Sequence, residues 1–313
     1  MRAVVSKGYG GTEAVEVVEV PVPEPGPGQV LIRVEAAAVH PVDLATRAGA
    51  LVQGGLMGAR AVTGLGWDVA GVVEAAGPGA GLAPGDPVLG LHDLLDVPLG
   101  THAEFVVLDS AAVARRPDGL SPVAAAALPL GALTALQALD ALGLATGETL
   151  LVTGAAGAVG GFAVELAAAR GLRVVALAGA ADEKRARASG AEWFVDRAAV
   201  EGGDLGAAVR ALVPGGTDGA LDAAVLGVPA QAAVRSRGAF AAVLGGQPLP
   251  LRGIRVRNVW VTADGTALAG LAGLAARGVL TPRVADTLPL ADAARAHERL
   301  AAGGLRGRLV LTP

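Results

Sequence analysis

Two stretches of this chain carry residue types that can do chemistry. The first, "VHPVDLATRAG" at 39–49, sets His40 at the end of an apolar run, directly before Pro41 and three residues ahead of Asp43. An imidazole there can ligate a metal, exchange a proton near neutral pH, or simply end a strand. The second, "LLVTGAAGAVGG" at 150–161, spaces Gly154, Gly157 and Gly160 as G-x-x-G-x-x-G. A side-chain-free turn lets backbone N–H groups approach a pyrophosphate, and a helix that follows offers partial positive charge at its N-terminus. In a protein with 47 glycines such a run also fits ordinary tight packing, so its context decides.

That context is a change of rhythm along the chain. The first third alternates short β-rich runs with Pro/Gly turns, as in "AVEVVEVPVPEPGPGQVLIRVEAAAVH" and "DVAGVVEAAGPGAGLAPGDPVLG", which predicts an all-β, barrel-like lobe. Ser121 and Pro122 then make a helix start, and helical spacing runs on from Leu128. From Thr149 strands and helices alternate: "TLLVTG", "GAVGGFAVELAAARG", "RVVALAG", "DEKRARASGA", "WFVD", "LGAAVRALVPGG", "GALDAAV", "PAQAAVRSRG" and "AFAAVLG". Repeated βα units with apolar strands imply a parallel sheet covered on both faces, with the glycine turn where its first strand meets a helix. Past Gly246 the rhythm breaks, and the tail is expected to rejoin the first lobe. The expected division is 1–122, 123–257 and 258–313.

Bulk properties narrow the function classes. A chain of 313 residues buries roughly 75% of its extended surface, which favours two domains with a ligand cleft. The net charge is −4, with basic residues dispersed, so no phosphate-tracking stripe points to nucleic acid. No window approaches a membrane span, and "MRAVVSKGYGG" does not read as a secretion signal, so a cytoplasmic location is expected. Cysteine is absent, which removes disulfides, thiol nucleophiles and thiolate-held zinc.

The nucleotide is read where the second strand of the parallel sheet ends. An NAD site usually carries a carboxylate there for the ribose hydroxyls. Here the strand ends in Ala178, Gly179 and Ala180, with Lys184, Arg185 and Arg197 within plausible reach. Cations without a carboxylate suit a 2′-phosphate, so NADPH is the expected cofactor. The bland alternative is that Lys184 and Arg185 solvate a helix start.

These segments, together with "HPVDLATRAG", "GWDVAGVVE", "GDPVLG", "GTHAEFVV", "ALPLGALTALQAL" and the tail at 280–313, resemble the medium-chain dehydrogenase/reductase superfamily and its zinc-independent quinone oxidoreductase branch. The resemblance implies a Rossmann doubly wound parallel sheet plus a GroES-like β-barrel catalytic domain formed by both chain ends, and commonly a homodimer. It also implies hydride delivery to a quinone or an α,β-unsaturated carbonyl. A biosynthetic enoyl reductase on a polyketide-like or carrier-bound substrate, or a non-catalytic NADPH-binding protein, are the alternatives. Zinc-dependent relatives carry a cysteine near the "HPVDL" region and a His-Glu pair where this chain has Trp67 and Asp68, so no metal is expected. The expected cofactor-binding set is His40, Thr134, Gly154, Ala155, Gly157, Ala158, Val159, Ala178, Gly179, Lys184, Arg197 and Leu244. Thr134 matches a threonine that faces the nicotinamide in relatives. His40 stands where relatives mostly carry asparagine, and Ala45 where many carry tyrosine. His40 is the candidate acid, or else it makes a fixed hydrogen bond to the cofactor or to Asp43.

Overall fold

The computed structural model describes residues 1–200, 202–243 and 245–313. The chain divides into two compact units, Met1–Leu130 with Thr262–Pro313, and Gly131–Val261. Along the first unit run β1 (Arg2–Lys7), β2 (Val15–Glu19), β3 (Gln29–Val39), α1 (Pro41–Arg47), α2 (Ala50–Gln53), β4 (Val62–Gly64), β5 (Asp68–Ala76), β6 (Pro87–Leu91), β7 (Phe105–Asp109) and β8 (Val113–Arg115). Then come α3 (Pro122–Ala126) and α4 (Pro129–Leu142). Ser121 caps α3 by accepting the Ala124 N–H, as its hydroxyl and the following Pro122 predict. Pro129 starts a separate helix, because proline disfavours helical geometry at the preceding Leu128. The unit boundary falls inside α4.

The second unit holds β9 (Thr149–Thr153), α5 (Ala158–Ala169), β10 (Arg173–Ala178), α6 (Glu183–Ala188), β11 (Ala191–Asp196), α7 (Arg197–Val200), α8 (Leu205–Leu212), β12 (Thr217–Asp222), α9 (Val228–Ala232), β13 (Val234–Val243) and β14 (Arg255–Val259). Its strands form one parallel sheet in the order β11-β10-β9-β12-β13-β14. Every residue of β9 is buried, as expected of a central strand covered on both faces. The order reverses between β9 and β12, and ligands bind outside the carboxyl ends of strands at such a switch point.

The structure differs from the sequence pattern in two places here. "PAQAAVRSRG" reads as helix, but α9 stops at Ala232 and β13 begins at Val234. Tertiary pairing overrides the helix propensity: Val234 pairs opposite Thr217, and the register then shifts before Ala239 meets Gly219. Past Gly246 the parallel rhythm continues for one more strand, since β14 pairs with β13 through Val259, beyond the 257/258 boundary read from the sequence.

The chain then adds α10 (Gly265–Ala276), β15 (Val284–Pro289), α11 (Ala293–Ala301) and β16 (Arg308–Thr312) to the first unit. There a seven-stranded sheet runs β15-β16-β3-β5-β6-β8, with β7 also paired to β3, and β2-β1-β4 forms a smaller sheet. The last strand lies antiparallel to β3, Leu309 opposite Val39, so both chain ends build this lobe. Among the described residues no helix is long and apolar enough to cross a membrane.

Candidate functional site

The glycine turn occupies the expected place, between β9 and α5. Gly154 leaves the strand at φ +61°, a conformation that favours glycine, and Gly157 is the N-cap of α5. An added Cβ on Gly160 would overlap the backbone of Gly154 and Ala155, so only glycine lets the helix start lie this close to the strand. The Ala155 N–H goes to Leu177 O at 3.1 Å, tying the turn to the end of β10, and the Gly157 N–H goes to Gly154 O at 2.8 Å. The amides of Ala158 and Val159 belong to the first turn of α5, where no intrahelical acceptor exists. Both residues are half-buried, and Gly157 is exposed. The turn thus has the backbone donors and the small profile that a pyrophosphate requires.

A clamp that the sequence reading missed holds this turn from the side. The Thr153 hydroxyl donates to Asp222 Oδ1 at 2.6 Å and accepts the Ala224 N–H at 3.0 Å. Asp222 also accepts the N–H groups of Leu226 and Gly227, at 3.1 and 2.7 Å. Both side chains are buried, and together they pin the loop after β12 against the end of β9. The loop is strained, with Val225 at φ +56°, which a β-branched residue avoids. A lone threonine and a lone aspartate, each ending an apolar strand, were the available signal.

At the end of β10, Ala178 is buried and Gly179 half-buried. Arg197, after β11, extends its guanidinium to 3.9 Å from where a Gly179 Cβ would stand. Lys184 is exposed in the first turn of α6. Neither cation has an ion-pair partner among the described residues, whereas Arg185 pairs with Asp182 at 3.6 Å. Thr134 is buried on α4 in the second unit. Leu244 lies outside the described residues.

His40, in the first unit, is fully buried at the junction of β3 and α1. Its backbone N–H donates to Asp43 Oδ2 at 2.7 Å, and Asp43 Oδ1 accepts the Gly66 N–H at 2.8 Å. Asp43 therefore orders the backbone, while the ring faces a different carboxylate. Nε2 of His40 lies 2.8 Å from Asp68 Oδ2, and Asp68 Oδ1 accepts the Leu130 N–H at 2.8 Å. Arg308 starts β16 beside the end of β3, and burial lowers its pKa against the attraction of Asp68 and Asp43. His102 and His297 complete the buried cluster, their rings 6.4 Å apart and edge to face. Burial pushes His297 down to about 4, against the attraction of Asp43 and with help from His102 and Arg47. Asp68 was not legible as the partner of His40, nor Arg308 as the charge attracted to Asp68, because strand pairing alone brings them together.

Among the described residues no three His, Cys, Asp or Glu side chains are placed to hold a metal ion. With no cysteine and with Asp68 bound to a backbone amide, the donor set does not fit a tetrahedral zinc.

Residues 26–118 match the family described as "Alcohol dehydrogenase GroES-like domain", and residues 189–311 match "Zinc-binding dehydrogenase". A chloroplastic quinone-oxidoreductase homolog from Spinacia oleracea is 35% identical over 66% of this chain and 64% of its own length. A 2-methylene-furan-3-one reductase from Solanum lycopersicum is 39% identical over 51% of this chain and 42% of its own. The match thus spans less than two thirds of either relative. The solved structure of an NAD-dependent alcohol dehydrogenase superposes with a TM-score of 0.88 at 33% identity, covering the whole of both chains.

Proposed function

The chain belongs to the medium-chain dehydrogenase/reductase superfamily, and from that premise we propose that it is an NADPH-dependent oxidoreductase delivering hydride to a quinone or to an activated C=C such as an α,β-unsaturated carbonyl. The observation that carries this reading is the cradle between β9 and α5, where Gly160 admits no side chain and the first-turn amides of α5 are free to receive a pyrophosphate. When bound, the cofactor supplies hydride from its nicotinamide ring.

The chain's own residues supply binding and orientation. Ala155, through Leu177, fixes the turn, and Thr153 with Asp222 braces the loop beside it. Arg197, next to Gly179 and with no carboxylate closing that strand end, suits the 2′-phosphate of NADPH. The donor set does not fit zinc, so polarisation of the acceptor falls to the acceptor itself, which favours quinones and enones over simple alcohols. Orientation of donor and acceptor is then the main source of rate.

The test is cofactor oxidation followed at 340 nm against a panel of quinones and enones, with NADPH and NADH in parallel. Turnover of at least one acceptor class with a preference for NADPH is expected. No turnover across the panel overturns the oxidoreductase reading, and a clear NADH preference overturns the cofactor assignment.

A further inference from the structure

The buried contact between His40 and Asp68 bears on which nitrogen of the imidazole can do anything at all. Both side chains are completely buried, and Nε2 stands 2.8 Å from Asp68 Oδ2. The contact is close without ideal hydrogen-bond alignment. At that distance two facing lone pairs would repel, so a proton must lie on one of the two atoms. Asp68 cannot turn away, because its other oxygen accepts the Leu130 N–H at 2.8 Å.

The surroundings decide which atom holds the proton. Arg308, beside the end of β3, attracts both Asp68 and Asp43, so the Asp68 carboxylate faces positive charge. An ionised carboxylate only accepts. Asp43 is already engaged by two backbone N–H groups, and His102 directs its Nε2 to Ala38 O at 3.0 Å. His297, whose pKa burial lowers, adds no charge near neutrality. No other described group competes for His40 Nε2 at hydrogen-bond distance.

We propose that Asp68 is a positioning residue that fixes His40 as the Nε2–H tautomer, so that the Nε2 proton is held against the carboxylate and Nδ1 carries the lone pair. The role of His40 in catalysis rests on the oxidoreductase reading above; its tautomer does not. In that state Nδ1, buried like the rest of the ring, carries a lone pair.

The experiment is a long-range 1H–15N spectrum of the full chain labelled at histidine, recorded at pH 7.5 with and without NADPH. Four histidines give four ring patterns, and His40→Gln identifies the one of interest. The expected pattern is a protonated Nε2 and a lone-pair Nδ1. In Asp68→Asn the amide can offer Nε2 either an oxygen or an NH2 group, so both tautomers should appear. Turnover in this variant should fall about tenfold or more while KM for NADPH stays within about threefold. A doubly protonated or Nδ1–H ring in the wild type, or an unchanged tautomer in Asp68→Asn, overturns the proposal. If Asp68→Asn does not fold, the wild-type spectrum decides by itself. Failure to turn over any acceptor would remove the functional reading and leave the tautomer result standing.

Discussion

His297 offers a perturbation whose size follows from its surroundings. The ring is fully buried on α11, neither nitrogen has a hydrogen-bond partner, and burial lowers the pKa from 6.5 to about 4. The folded state therefore refuses a proton that the unfolded chain accepts below pH 6.5. Stability from this residue is complete above that value and is lost as pH falls towards 4. Taking those two values, the loss is about 2 kcal/mol between pH 8 and pH 5 and about 3 kcal/mol at pH 4. Carboxylates held below their ordinary range by arginines and backbone amides, such as Asp86, Glu104 and Asp286, lose their contribution only at lower pH, so the window from 8 to 5 belongs to histidine. His92, also lowered by burial, acts equally in both proteins compared. Urea unfolding followed by circular dichroism at pH 8, 6 and 5 should show the wild type losing about 2 kcal/mol more than His297→Leu across that range. The offset at pH 8 carries no weight, because leucine also removes two unpartnered nitrogens. Parallel curves, within about 0.5 kcal/mol, would refute the buried-neutral account.

Two further substitutions separate packing from cofactor recognition. Gly160→Ala forces a Cβ into backbone that cannot yield, and should cost about 1–3 kcal/mol in thermal or urea unfolding and raise Kd for NADPH at least about tenfold. Gly157→Ala, whose added Cβ meets only Gly154 O at 3.2 Å, is the mild control. Arg197→Ala should weaken NADPH about tenfold in fluorescence titration and leave NADH within about twofold. Equal loss for both cofactors would remove Arg197 from the phosphate site.

What could be read from the sequence was whatever the chain decides locally. The βα alternation from Thr149, the glycine turn at 154–160 and the cap at Ser121 all depend on residues within a few positions of each other, and each is present in the fold. Periodicity fixes which face of an element is buried, and glycine fixes where backbone can come close. The misreadings came where pairing with a distant strand outweighed local preference. Val234 to Gly238 reads as helix yet joins β13, whereas residues 251–263 read as a strand and only pairing sets β14 beside β13 in the parallel sheet.

The candidate site divides along the same line. Gly154, Gly157 and Gly160 are legible as the turn between a strand and a helix from their spacing together with the βα rhythm around them, and the absence of cysteine removes thiolate chemistry by composition alone. The state of His40 could not be read that way. Sequence sets Asp43 three residues on and suggests it as the ring's partner, but α1 turns that carboxylate onto backbone N–H groups. The partner is Asp68, brought in by the pairing of β5 with β3, and the balancing charge is Arg308, brought in by β16. Composition can say that a histidine is present. Only burial among charges delivered by three strands can decide which of its nitrogens carries the proton, because that depends on distances of a few ångströms in a low-dielectric interior.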